Sequence, residues 1–233
     1  METLLVSSHK IACEDTNFFA SLYSFLLLFS QLLRFFVTFA LGMITDIHTH
    51  NAQTNAQTIK TEGIHPWQAL DGDISAVESV IAEIDAIGEI GLDFACDVSR
   101  EAQTRIFKAQ LALAERHKKA VVLHCVRAFE EVCKVLSEYR LRCVIFHGFI
   151  GSKEQAQRAV AEGYYLSFGE RTFRSPKTIE AMRSTPLSSL FVETDESATP
   201  IEDIYEKIAE LRGISTTELT VITEENFSRI FNS

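Results

Sequence analysis

The sequence predicts an α/β fold in which a parallel sheet is covered by helices, and three observations carry that reading. Short apolar runs such as AVVLH (120–124), CVIFH (143–147) and SLFVE (189–193) lack polar alternation, as expected of strands buried on both faces. Between them lie longer stretches whose apolar residues recur at helical spacing, and such alternation favours parallel pairing. The four prolines and ten glycines fall in single turns rather than in a linker, so one domain is expected over residues 43–233.

The first 42 residues differ in composition from the rest. They hold 7 of the 17 phenylalanines, and no charge occurs from Thr16 to Leu33. Roughly fifteen Leu, Phe and Val at about −0.3 to −0.6 kcal/mol each outweigh Arg34 at about +2.5 to +3.5 kcal/mol, so a membrane helix is energetically allowed. A signal peptide ending near Ala40-Leu41-Gly42 is a further alternative. Met43 directly precedes the first expected strand without a linker. We therefore expect residues 1–42 to be an apolar N-terminal extension upstream of the native product, with membrane contact only if that segment is native.

Strands are expected at 44–49, 57–63, 85–91, 120–125, 142–147, 164–168 and 189–194. The stretch 100–119 places Ile106, Leu111, Leu113 and Ala114 at helical spacing, and 128–139 does the same with Phe129, Val132, Val135 and Leu136. Ser152 with Gln155, and Ser215 with Glu218, have the spacing of capping boxes that open later helices. The loop NAQTNAQT (51–58) repeats only locally, which excludes a solenoid. Only twelve residues separate His50 from Gly63. That is too few for a helix plus a strand, so the first β/α unit should lack its helix, which leaves closure of the barrel open and its mouth wider.

Formal charge is −10, which excludes a basic protein that coats nucleic acid and predicts no stable nucleic-acid complex. The cysteines, Cys13, Cys96, Cys125, Cys133 and Cys143, are odd in number and contain no C-x-x-C pair. A disulfide framework is therefore not expected, and reduced thiols in a cytoplasm are.

Chemistry gathers at the strand ends. His48 and His50 end the first strand, Glu89 the third, His124 the fourth, His147 the fifth, and Asp195 follows the last. In a parallel barrel these ends converge on one mouth, and alternation along a strand turns His48 and His50 the same way. Each residue alone has a plainer reading: a chance H-x-H, a hydrogen-bonded core histidine, a paired carboxylate, a helix cap. Together they would bury imidazoles and carboxylates with no lysine among them, a cost that divalent cations remove.

The motifs DIHTH, GIHPW, AIGEIGLD, VVLHC, FHGFIGS, YLSFGERTF, LFVETD and ENFSRIF, in that order from Met43 onward, resemble the TatD-type metal-dependent hydrolases of the amidohydrolase superfamily. The resemblance implies a TIM-like (β/α) barrel, trimmed here by one helix, with two divalent metal ions at its mouth. It assigns His48, His50 and Asp195 to one ion, His124 and His147 to the other, and Glu89 to both. It also implies phosphodiester hydrolysis, especially of DNA.

Imidazole and carboxylate ligands suit Zn, Mn or Mg without choosing among them. Asp195 and Glu89 are the expected catalytic residues, with Asp195 also accepting a proton from water. His65, Glu193, Asp93 and Arg127 are expected to bind substrate or to support ligands from behind, and Trp67 either stacks on a base or packs at the rim. Two departures bear on substrate. Many relatives carry an arginine two residues after the fourth-strand histidine, where Val126 stands here and Arg127 follows; and ETDES brings Glu196 to the mouth. The leading expectation is a DNase-like hydrolase acting on a small phosphodiester or a nucleic-acid end. Alternatives are hydrolysis of a small ester, amide or cyclic amide, and a non-catalytic metal-binding barrel. The sequence leaves the oligomeric state open.

Overall fold

Six parallel strands follow one another in chain order across one sheet: β1 (Thr61–Glu62), β2 (Ala86–Asp93), β3 (Ala120–Val126), β4 (Val144–Phe146), β5 (Tyr165–Phe168) and β6 (Leu190–Val192). They belong to a computed structural model that describes residues 42–51 and 54–232, so the expected extension, Gly42 excepted, lies outside the described residues. Met43–Ser233 forms one compact unit.

Segment 44–50 closes the sheet into a ring. It bridges in parallel to the chain before β1 through Thr45 and Gln57, and to the chain after β6 through Thr49 and Asp195. Backbone hydrogen bonds support both sides: Asp46 N–H donates to the Gln57 carbonyl at 2.8 Å, and Ile47 N–H to that of Val192 at 3.1 Å. The segment is thus a strand in position, with too few paired groups to form a continuous ladder. Among the described residues no helix lies between it and β1, as the short first unit predicts. The missing helix leaves the ring unbroken, because 44–50 bonds to both neighbours without it. The Tyr205 hydroxyl anchors this seam by donating to the Thr45 carbonyl at 2.8 Å.

The helices that alternate with the strands are α1 (Ile74–Ser79), α2 (Arg100–His117), α3 (Phe129–Leu136), α4 (Lys153–Ala161), α5 (Pro176–Ser184), α6 (Ile201–Arg212) and α7 (Thr216–Phe231). Helix α2 begins where the Ser99 side chain accepts from Ala102 N–H and stops at Lys118, whose φ of 52° is left-handed. Helix α4 opens on the expected capping box, with Ser152 and Gln155 each accepting the other's backbone N–H. The Ser215 hydroxyl caps α7 by accepting from Glu218 N–H at 3.1 Å. Helix α3 ends at Leu136, short of the 128–139 stretch that its periodicity suggests.

Two apolar layers separate along each strand. Leu123, Phe146, Phe168 and Val192 pack outward against helix residues such as Phe107, Val132 and Ile208. Ile47, Val122, Ile145 and Phe191 form the second layer with Phe227 and Ile230 of α7. Burying each such side chain contributes about 1.5–3 kcal/mol. Two residues further along the same strand faces stand His124, His147 and Glu193, so the packed interior is the floor on which the polar site rests. Cys125, on the opposite face from His124, packs into the helix layer, where burial pushes its thiol up to about 12. Among the described residues no helix is long and apolar enough to cross a membrane.

Candidate metal centre

Glu89 occupies the middle of the mouth. It lies where the pairing of β2 with β3 shifts register between Ile87 and Ile90, an irregularity of the kind that re-aims a side chain. Its two carboxylate oxygens face different histidines. Oε1 is 3.0 Å from His48 Nε2 and 3.2 Å from His50 Nε2, whereas Oε2 is 2.8 Å from His147 Nε2 and 3.5 Å from His124 Nδ1. Burial alone would raise this carboxyl, but hydrogen bonds from His124, His147 and His48 outweigh it and hold Glu89 far below the usual carboxylate range.

Gly91 sets how closely β2 approaches β3. Its φ is +143°, and a Cβ there would lie 2.0 Å from the His124 carbonyl oxygen. Gly91→Ala should therefore push the two strands apart, lowering stability by about 3 kcal/mol and displacing His124. An unchanged urea midpoint for this variant would show that the approach is not needed.

Carboxylates stand behind two of the imidazoles. His124 Nε2 lies 3.3 Å from Asp93 Oδ2, which leaves His124 Nδ1 turned toward Glu89. Asp93 also accepts from Trp67 Nε1 at 2.7 Å and from Ala95 N–H at 2.8 Å. His147 Nδ1 lies 3.6 Å from Glu193 Oε1, too long for a hydrogen bond but within ion-pair reach, and its Nε2 faces Glu89. Burial opposes a proton on His147, yet Glu193 and Glu89 overcome it and push the imidazole up. Glu193 thus meets His147, and Asp93 meets His124.

Asp195 is pinned between the two histidines of the first segment. Its N–H donates to the His48 carbonyl at 3.0 Å, and its carbonyl accepts from His50 N–H at 3.1 Å. Its φ of 55° is left-handed, a conformation that aspartate tolerates better than most residues. Its Oδ1 lies 3.8 Å from His48 Nε2 and 3.7 Å from His50 Nε2. Three trios bring one donor atom per residue within 4.8 Å of each other: His48, His50 and Glu89; His48, His147 and Asp195; His65, Glu89 and His124. All six expected ligands fall in these groups, and His65 joins them.

Two contributors escape a reading of strand ends. Asp46 is buried beneath the site and accepts from Thr194 N–H at 2.9 Å and Thr194 Oγ1 at 2.7 Å, fixing the residue before Asp195. Burial raises its carboxyl to about 6. The signal was present in DIHTH, whose aspartate shares the face of both histidines. Arg171, in the 3-10 turn Glu170–Arg174, lies 3.8 Å from Asp195 Oδ2 and 3.9 Å from Glu196 Oε2. Its position depends on how that turn folds back, which no local pattern reveals.

A cavity of about 670 Å³ covers this cluster, with His65, Trp67 and Glu196 at its border. His65 Nε2 is 4.0 Å from Glu89 Oε2, and its Nδ1 accepts from Trp67 N–H at 3.3 Å. Burial and the neighbouring His124 push the His65 imidazole down to about 4. Trp67 is 61% exposed at the rim with its indole N–H tied to Asp93. Arg127 instead lines a neighbouring cavity of about 590 Å³ that also touches His147.

The chain matches the family model described as TatD related DNase over residues 33–232. An uncharacterized metal-dependent hydrolase of Bacillus subtilis, YabD, is 33% identical over 192 residues, which cover 72% of this chain and 75% of YabD. A 3'-5' ssDNA/RNA exonuclease TatD of Erwinia tasmaniensis is 32% identical over 202 residues, covering 74% of this chain and 77% of that protein. Among solved structures, the TatD homolog YjjV of Escherichia coli is similar at a TM-score of 0.69 and 28% identity, with coverage of 76% and 77%.

Proposed function

The chain belongs to the TatD-related DNase family of metal-dependent hydrolases, and from that premise we propose that it hydrolyses phosphodiester bonds at nucleic-acid ends with two divalent ions. One observation carries the reading: Glu89 offers each oxygen to a separate pair of imidazole nitrogens. The donor set fits ions. His48 Nε2 is buried between two carboxylate oxygens, Glu89 Oε1 at 3.0 Å and Asp195 Oδ1 at 3.8 Å, and the carboxylates behind His124 and His147 stand where the outer partners that orient metal-bound histidines would. In this proposal His48, His50 and Asp195 would hold one ion, His124 and His147 the other, and Glu89 would serve both; Zn, Mn or Mg would suit. Such a pair supplies a Lewis-acidic centre that makes water acidic near neutral pH and draws charge from a phosphate.

The remaining work falls to this chain's own side chains. Asp195 turns Oδ1 to the histidines and leaves Oδ2 on the Arg171 side, where it accepts the proton of the attacking water. Arg171 offers a positive charge to the scissile phosphate. Trp67 and His65 form the wall against which the leaving nucleotide rests. A reducing cytoplasm is the proposed setting, in keeping with the free thiols Cys96, Cys125, Cys133 and Cys143.

The test is cleavage of a 5'-labelled single-stranded oligonucleotide by purified protein with Mg²⁺ or Mn²⁺, and its loss in EDTA. Stepwise shortening from the 3' end is expected. Turnover of esters or amides without phosphodiester cleavage would favour the small-molecule alternative, and bound metal without any turnover the non-catalytic one. His65→Ala should keep its metal and lose about a hundredfold in rate, as removal of a group acting on protons or substrate does. Metal analysis beside the assay decides this: a variant stripped of metal would make His65 a ligand.

A further inference from the structure

Charge is distributed unevenly around the mouth. The cavity over Glu89 is bordered by Glu62, Asp93, Asp195 and Glu196, and Arg171, its one arginine or lysine among the described residues, is already held by Asp195 and Glu196. A second phosphate of a bound strand would meet carboxylates there. The neighbouring cavity, which shares His147, differs. Glu130 and Glu131 line it, but each has a cation of its own from outside the cavity, Arg158 beside Glu130 and Lys134 at 3.6 Å from Glu131.

Arg100 and Arg127 also line that cavity, are exposed, and enter no ion pair among the described residues. The Arg100 guanidinium lies 4.2 Å over the ring of half-buried Phe94, which gives it a fixed platform. Arg127 has a left-handed φ of 52°. Val126 lines the cavity over Glu89 while Arg127 lines the next one, so adjacent residues after His124 serve different cavities. On a chain of net charge −10, two guanidinium groups outside any ion pair among the described residues, one of them seated over an aromatic ring, are a local feature with the chemistry of a phosphate site.

We propose that Arg100 and Arg127 form a second phosphate subsite, which holds the backbone of a single-stranded nucleic acid beyond the bond being cut. It rests on the phosphodiesterase reading above and adds a direction to it. The strand leaves the mouth over β3 and β4 and avoids the side carrying Glu62 and Glu196. It also predicts selectivity: a mononucleotide ester engages the central cavity alone, and a longer strand engages both.

The test measures binding and turnover separately. A fluorescent phosphorothioate oligothymidylate, which resists cleavage, is titrated with protein in Mg²⁺ at several salt concentrations. Arg100→Gln and Arg127→Asn, the latter chosen because asparagine tolerates a left-handed backbone, should each weaken binding about tenfold. The double variant should flatten the slope of log K against log salt by about 1.4, two single-strand phosphate contacts at about 0.7 each. Arg100→Lys with Arg127→Lys should recover the slope. In the same preparations, the ratio of kcat/KM on an oligonucleotide to that on bis(p-nitrophenyl) phosphate should fall at least about tenfold for the double variant. An unchanged slope and ratio overturn the subsite even if wild type cleaves both substrates. A flattened slope in a protein that cleaves neither keeps the subsite and removes the phosphodiesterase reading.

Discussion

Glu89→Gln is expected to lower phosphodiester hydrolysis by on the order of a thousandfold, beyond the ten- to hundredfold typical when only an outer partner of a metal ligand is lost. The side-chain amide has nearly the shape of the carboxylate but a different donor pattern. One end still accepts, and the other presents N–H groups to imidazole nitrogens whose lone pairs are needed. Because Oε1 serves His48 and His50 while Oε2 serves His124 and His147, either orientation of the amide spoils one pair. Metal content should fall with activity, from the two ions proposed above to one or none per chain. Elemental analysis of dialysed protein checks this directly: wild-type metal content in Glu89→Gln would mean that Glu89 does not bridge.

The histidines and carboxylates at the strand ends were legible because burial leaves so few reasons for such residues there. VVLH and CVIFH are apolar up to the histidine, and a strand that ends on a ligand type at the mouth of a barrel has a restricted range of roles. Glu89 was legible by the same logic, although its aim depends on a register shift in β2 that no residue pattern announces. Asp46 was legible only as sharing a face with His48 and His50, not as a site residue. Its position inside the first segment reads as an ordinary strand position, and its importance arises only when β6 brings Thr194 alongside, 148 residues away in sequence.

The fold shows the same division. Buried strands and capped helices declare themselves locally, so α2 and α4 begin where Ser99 and Ser152 place them. Closure does not, because it depends on pairing between the chain's first described segment and β6. A shortened first unit therefore put closure in doubt, whereas segment 44–50 needs only a few backbone bonds on each side to complete the ring. Arg171 belongs with closure. It reaches Asp195 from a 3-10 turn after β5, and only assembled geometry sets that distance.

Asp46→Ala should produce the largest loss of stability of any single change near the site, about 3–5 kcal/mol. Thr194 N–H would lose its buried acceptor at about 1–3 kcal/mol, the Thr194 hydroxyl would exchange a carboxylate acceptor for the weaker Thr49 Oγ1, and a small cavity would remain. For a domain of this size that is a fall in Tm of about 10 °C or more, measurable by calorimetry on metal-depleted protein. Asp46→Asn separates hydrogen bonding from charge. Its oxygen can still accept from Thr194 N–H, and its amide can donate to Thr194 Oγ1, whose own proton can turn to Thr49 Oγ1 at 2.7 Å. Asn should therefore cost about 1 kcal/mol and keep most of the metal affinity, whereas Ala should weaken it by releasing Asp195 from its place between His48 and His50. If Asn were as damaging as Ala, the Asp46 charge itself would be the essential feature, and the positioning role argued from the Thr194 contacts would fail.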